Sequence, residues 1–225
     1  MRSIVGTPTI RELSAQDSMA RLTKLIHAAY APHAAQGLRF WGTHQTEEES
    51  ARRFAAGRGL VAEFDGEYVG TVIARPPQPE SLLFLYRLPD VWSISQLAVA
   101  PQFKGRGLGR ALHNAAEVLA LANGAAILAL DTATPAQALI AMYEAWGYRV
   151  VGNHDWWPHT NFLSTVMSRP IKAIANRVPF HRADVPKAAS RPLARRSCQT
   201  LGVRRSIVAL QSVRKTTEDT IFDLR

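Results

Sequence analysis

The stretch Lys104-Gly105-Arg106-Gly107-Leu108-Gly109-Arg110 places three glycines, alternating with other residues, between the apolar run LAVA and the helix-like ALHNAAEVLALA. A strand that passes through a glycine turn into a helix aims free backbone N–H groups at one point. Those groups, with the helix dipole, bind phosphate. Glycine is required where backbone approaches a ligand closely or takes a positive φ. Lys104, Arg106 and Arg110 put cations beside the turn. The competing reading is a turn that only lets a helix pack closely on a strand.

Two phosphate-binding loops do not fit. A P-loop places Gly-Lys-Ser/Thr after four free positions, whereas here the lysine precedes the glycines and no Ser or Thr follows. A dinucleotide fingerprint reads G-x-G-x-x-G in a first βαβ unit, with an acid about 20 residues later. Asp131, at the end of AAILALD, mimics that acid, but Arg110 stands where the last glycine belongs. The turn also follows several strands of antiparallel character.

A third pattern fits. The segment SISQLAVAPQFKGRGLGRAL resembles the signature of the GNAT superfamily of N-acetyltransferases, Q/R-x-x-G-x-G/A after a strand that often ends in V-x-P. Lys104 takes the first position, where the family has Gln or Arg; Gly107 and Gly109 take the glycine positions; Pro101 falls where proline is common. Further on, TPAQALIAMYEAWGY resembles the family's later motif, roughly N-x-x-A-x-x-L-Y-E-x-x-G-F, through Met142, Tyr143, Glu144, Gly147 and Tyr148. Ala136 and Leu139 depart from its asparagine and alanine. The resemblance spans residues 8–168.

The resemblance implies acetyl-CoA as acetyl donor and an amine as acceptor, with direct attack through a tetrahedral intermediate and no metal. It implies that the pantetheine arm lies along Leu97, Ala98 and Val99. The pyrophosphate then sits on the turn, from Lys104 through Gly105, Arg106, Gly107, Leu108 and Gly109 to Arg110, in agreement with the anion argument. It implies that Tyr143 protonates the departing thiolate, which a phenol of pKa about 10 can do at neutral pH; plain helix packing is the other reading of Tyr143. The family often carries Glu or His on the signature strand. This strand shows Ser93 and Ser95 on one face and Gln96 opposite. Neither serine can deprotonate an ammonium ion directly, so a water held by Ser93 or Ser95, or an amine that arrives neutral, is expected. The family places its acceptor between the first helices and the later strands, where Tyr30, Phe40, Trp41 and Tyr86 are the substrate candidates, with Arg39, His44, Trp156 and Trp157 beside them. A small primary amine is expected, with a protein lysine or N-terminus as the rival. Adjacent His154 and Asp155 do not make a hydrolase triad.

The elements that must position these groups are readable in part. TPTIREL reads as a strand. Ser14, with Asp17 three residues on, suggests a capped helix carrying Met19, Leu22, Leu25, Ile26 and Ala29 up to Pro32. APHAAQGLRFWGTHQ reads as a long loop, and Thr46 with Glu49 as a capping box that opens a second helix. Glu47, Glu48 and Glu49 complement that helix's dipole. GLVAEF, the turn DG and EYVGTVIA predict a hairpin. SLLFLYRL, VWSISQLAVA, AAILALDT, YRVVG and NFLSTVMS predict further strands. A helix is expected over roughly 106–122, stopped by Asn123-Gly124, and another opened by Thr134, Pro135 and Gln137 and ended by Gly147. The fold class is therefore α/β (α+β): a GNAT-like mixed, mostly antiparallel central sheet flanked by helices, in one domain over 1–170.

The chain has 225 residues and a formal net charge of +9. Residues 1–170 hold 15 Lys and Arg against 14 Asp and Glu, while residues 171–225 hold 12 against 4. The basicity belongs to the extension 171–225, expected to be flexible or loosely packed, and nucleic acid could be contacted only through it. The single cysteine, Cys198, lies there and excludes an intramolecular disulfide. The start of the chain lacks the apolar core of a signal peptide, and no apolar run reaches about 18 residues, so no membrane span and a cytoplasmic location are expected. A homodimer is compatible with all of this. Against the enzyme stands a second reading, a non-catalytic CoA-binding or regulatory module with a basic tail for nucleic acid or another acidic partner. The two separate by assay. The enzyme releases thiol from acetyl-CoA with some amine in a panel. The module binds CoA without turnover and loses salt-dependent nucleic-acid binding when 171–225 is removed.

Overall fold

A computed structural model describes residues 6–171; the extension discussed above lies outside the described residues from 172 onward. In chain order the strands are β1 (Thr9–Glu12), β2 (Arg58–Phe64), β3 (Glu67–Arg75), β4 (Val91–Val99), β5 (Ile127–Ala133), β6 (Arg149–Asp155) and β7 (Leu163–Pro170). The helices are α1 (Met19–Ala35), α2 (Glu47–Ala55), α3 (Leu108–Ala122) and α4 (Gln137–Ala145). The strands form one seven-stranded sheet in the order β1-β2-β3-β4-β5-β7-β6. Only β4 and β5 pair in parallel. The expected mixed, mostly antiparallel sheet with flanking helices is what the chain forms.

Both faces of the sheet are covered, which explains the unbroken apolar runs in the central strands. On one face α3 lays down Leu108, Leu112, Ala116 and Ala120 at helical spacing, over Leu60, Ala62 and Val72. On the other, Leu22, Ile26 and Ala29 of α1 meet Val61, Ile73 and Ala98. Each fully buried Leu or Ile contributes about 1.5–3 kcal/mol. Gly70 of β3 is needed for this packing, because a Cβ there would stand 2.7 Å from Leu112 Cδ1.

Local signals held where the partners were local. Thr46 and Glu49 form both bonds of the capping box. The β2–β3 turn has Asp65 at φ 49° and Gly66 at φ 74°, the pair of positive values that a tight hairpin demands. Four expectations are corrected. The cap of α1 is Ser18, whose hydroxyl accepts from Arg21 N at 3.3 Å; Ser14 is instead folded back on Asp17, which Arg11 also holds. The helix also runs past Pro32 to Ala35, since a proline in the last turn removes only one backbone bond. SLLFLYRL is not a strand but a bend and a 3-10 turn over Phe84–Arg87, because β3 and β5 already occupy both edges of β4. Thr134 does not cap α4: its hydroxyl is paired with Thr165 at 2.9 Å, and the helix starts at Gln137.

His113 links the far end of this frame. It is fully buried on α3, with Nε2 2.9 Å from the Tyr148 hydroxyl just before β6. Burial pulls its imidazole down to about 4, and the charges of Arg169 and Arg110 act in the same direction. The unfolded chain takes up this proton near pH 6.5, the ordinary value, while the native one resists. His113 therefore supports the fold fully above about pH 6.5, and that support is lost as pH falls toward 4. Urea unfolding at pH 7, 6 and 5 should show this decline, and His113→Gln should flatten it.

Candidate functional site

The site begins where the sheet opens. β4 pairs with β5 only from Val91↔Ile127 to Ser93↔Ala129. Past that point the strands part. On the other edge of β4 the register with β3 slips, since Thr71 faces Ala98 and Ile73 faces Ser95. Two β4 residues, Gln96 and Leu97, thus stand opposite Val72 alone, and Gln96 takes φ 51°. A non-glycine residue in that region costs about 1–3 kcal/mol and persists only where its surroundings hold it. Here they do. Gln96 Nε2 donates to Gln45 Oε1, Gln45 Nε2 donates to Ser50 Oγ, and Ser50 bonds Thr23 at 2.7 Å. All four side chains are buried, so the bulge is tied to α1 and α2.

Along the opened strand lies a cavity of about 640 Å³. Its wall contains Leu97, Ala98 and Val99 of β4, all of the glycine turn except Arg106, Leu139, Met142 and Tyr143 of α4, and Trp146 just after it. Gly105 and Gly107 have φ 74° and 80°, and Gly107 caps α3 without a side-chain acceptor. The first N–H groups of α3 are therefore available to a ligand. The cations are placed less simply than the sequence suggests. Lys104 Nζ donates to the Ala29 carbonyl of α1 at 2.9 Å. Arg106 lies over the Phe103 ring at 5.9 Å and Arg110 over Trp146 at 5.1 Å. Uncapped amides at the turn and apolar walls along β4 fit a diphosphate joined to an extended arm. Tyr143 is buried, edge-on to Trp146 and Tyr148. Burial pushes its phenol well above the ordinary value, so it keeps its proton at every working pH.

A second cavity of about 550 Å³ lies on the other side of the opening. Tyr30, Phe40, Ile94, Ser95, Gln96, Asp131 and Thr132 line both, so the two spaces meet there. All four substrate candidates, Tyr30, Phe40, Trp41 and Tyr86, line the second cavity, as do Ser93 and Trp156. Arg39, His44 and Trp157 do not. Ser93 Oγ accepts from Gln78 Nε2 at 2.9 Å, while Ser95 Oγ is buried with no partner among the described residues. Phe40 packs on Phe162 and Trp41 on His159.

Sequence reasoning missed three groups. Asp131, weighed only as a dinucleotide acid, sits on β5 at the junction. It accepts from Tyr86 OH at 2.8 Å and from Trp156 Nε1 at 2.9 Å. Arg53 of α2 and Arg75 of β3 line the second cavity. The signal for Asp131 was present, as a carboxylate ending a buried strand; the arginines had none.

Among the described residues no cluster of His, Cys, Asp or Glu could hold a metal, and no helix is long and apolar enough to cross a membrane. The sequence profile of the Acetyltransferase (GNAT) family matches residues 22–148. Among solved structures, the ribosomal-protein-S18-alanine N-acetyltransferase from Escherichia coli is similar at 20% identity and TM-score 0.56, over 77% of this chain and 99% of that one. Ard1 from Thermoplasma volcanium gives 16% and 0.58, over 75% and 100%. A GNAT family acetyltransferase from Elizabethkingia anophelis with acetyl-CoA bound gives 15% and 0.54, over 73% and 99%. At these identities the structures show a shared fold.

The two glycines of the turn should behave differently on substitution. Nothing lies within 4 Å of a Cβ at Gly107, so Gly107→Ala is strained only through its positive φ, by about 1–2 kcal/mol. Relief of that strain turns the amides away, and calorimetric affinity for coenzyme A should fall on the order of tenfold. Gly109 has ordinary helical φ and room beside Val99. Gly109→Ala should keep its affinity and raise stability by about 0.5–1 kcal/mol.

Proposed function

The chain belongs to the GNAT family of acetyltransferases, acyltransferases whose donor is acetyl-CoA, and we propose that it acetylates a primary amine of a small molecule by direct attack. The observation that carries the reading is the junction. A cavity with an anion-binding turn and a cavity with a polar floor meet at Ser95, Gln96 and Asp131, with Tyr143 on the donor side. The acceptor-side volume of about 550 Å³ lies within the range of about 300–1,000 Å³ that small ligands occupy. Its aromatic walls, Phe40, Trp41, Trp156 and Phe162, favour a small amine over a protein tail.

Acetyl-CoA supplies the acetyl group as a thioester. The chain's residues do the rest. The amides of Leu108, Gly109 and Arg110 hold the diphosphate. Leu97, Ala98 and Val99 guide the arm to the opening, and the backbone N–H groups of the irregular stretch at Gln96 and Leu97 stabilise the developing oxyanion. Asp131 is the acceptor cavity's half-buried carboxylate and faces the junction. Two donors orient it, so it holds the incoming ammonium and accepts its proton, directly or through water. Ser93 and Ser95 hold that water. Tyr143, kept neutral by burial, gives its proton to the departing sulfur as the amide bond forms.

Tyr143→Phe should lower thiol release about 100-fold or more while the amine KM changes little; an undiminished rate would remove Tyr143 from the chemistry. Asp131→Asn should depress kcat most at low pH, where the amine arrives charged. Ser93→Ala combined with Ser95→Ala should shift the pH–rate profile, and an unchanged profile would leave proton removal to Asp131 alone.

A further inference from the structure

The acceptor cavity holds an electrostatic imbalance that acetyl transfer to a plain amine does not use. Arg53 comes from the last turn of α2 and Arg75 from the end of β3, and both side chains line this cavity. The Nε of each is buried and finds no acceptor among the described residues. Neither guanidinium takes part in an ion pair there, although Arg11, Arg21, Arg52, Arg58 and Arg169 all do. The contrast with Arg52 is direct. Arg52 faces outward to Glu48 one turn back, while its neighbour Arg53 turns inward and lies over the Trp41 ring at 5.2 Å. Burial works against both charges and Arg75 adds to it at Arg53, while Asp131 acts in favour of both.

Two like charges held in one partly buried wall without paired acceptors are unfavourable unless an anion completes them. The cavity's own carboxylates fill that role only in part: Asp131 favours both charges but forms no ion pair with either arginine among the described residues. Asp131 is engaged by Tyr86 and Trp156. Glu80 lies at the exposed rim and makes no ion pair among the described residues. Guanidinium groups suit planar acids because their forked donors match two oxygens at once.

Resting on the acetyl-transfer reading, we propose that the acceptor is an amine that also carries an acid group, a carboxylate or a phosphate, seated on Arg53 and Arg75. The acid is gripped at the arginine wall, and the amine is thereby directed toward Asp131 and Ser95, where the two cavities meet. Charge complements charge at both ends: the cationic wall takes the acid, and Asp131 takes the ammonium. The arginines are positioning residues, and the bond that forms is still nitrogen to acetyl carbon, with the thiol as leaving group.

The test uses matched pairs. Thiol release is measured with amino acids, among them glycine, β-alanine and γ-aminobutyrate, against their amides, and with O-phosphoethanolamine against ethanolamine. At least one acid set should exceed its neutral partner tenfold or more in kcat/KM. That ratio should collapse toward one in Arg53→Gln and in Arg75→Gln, and recover in part in Arg53→Lys and Arg75→Lys. Because the wild-type ratios need no substitution, misfolding of a variant cannot hide the outcome. Calorimetric titration of the same acids onto protein saturated with coenzyme A reads the site without turnover. Neutral amines turned over as well as acids, with no acid binding by calorimetry, would overturn the inference and leave acetyl transfer standing. Arginine-dependent acid binding with no thiol release from any amine would do the reverse.

Discussion

The site depends on the failure of β4 to stay paired. Adjacent strands in a sheet normally continue their ladder, because an unpaired buried N–H or C=O is costly. Here the parallel ladder between β4 and β5 ends at Ser93 and Ala129, and the other edge of β4 is bulged at Gln96 and Leu97. Both ladders of the strand are thus interrupted on the line where the two cavities meet. The strain of Gln96 is held by a buried chain of side chains, Gln45, Ser50 and Thr23, reaching α2 and α1. The opening is a built feature of the fold rather than a frayed edge.

The two sides of the opening use different chemistry. On the donor side the attraction for anions comes from the backbone: positive-φ glycines and a helix start with no side-chain cap. Two of the flanking cations are tied to the frame, Lys104 to the carbonyl of Ala29 and Arg110 to the face of Trp146. On the acceptor side the charges sit on side chains, Asp131, Arg53 and Arg75, drawn from separate elements. Side chains vary without disturbing the sheet, whereas the backbone geometry of the turn does not.

Burial sets the protonation of the opening. Tyr30, Tyr86, Tyr143 and Tyr148 are all pushed upward, each chiefly by desolvation. Three of these phenols, Tyr30, Tyr86 and Tyr143, line the two cavities, whose walls also hold Asp131, Arg53 and Arg75. In such surroundings charged groups interact more strongly than they would in water. Burial keeps Tyr143 protonated, and Tyr86 and Trp156 fix the orientation of the Asp131 carboxylate.

How much of this was legible depended on distance along the chain. The hairpin turn at Asp65-Gly66, the capping box of Thr46 and Glu49, and the glycine turn each lie within a few residues, where φ preferences and local hydrogen bonds are written directly into residue type. The glycine turn and the family were readable for that reason. The start of α1, the cap of α4 and the fate of SLLFLYRL were misread because Arg11, Thr165 and the occupied edges of β4 decided them from elsewhere. Lys104 finds its partner 75 positions away in Ala29, and Arg53, Arg75 and Asp131 come from a helix and two strands. What the sequence determined by itself was most of the elements and the glycine turn with its uncapped helix start, since these need only short-range sterics and hydrogen bonding. What only the tertiary structure decided was which charges face one another in the acceptor cavity, since their convergence follows from sheet register and helix docking, which no local window contains.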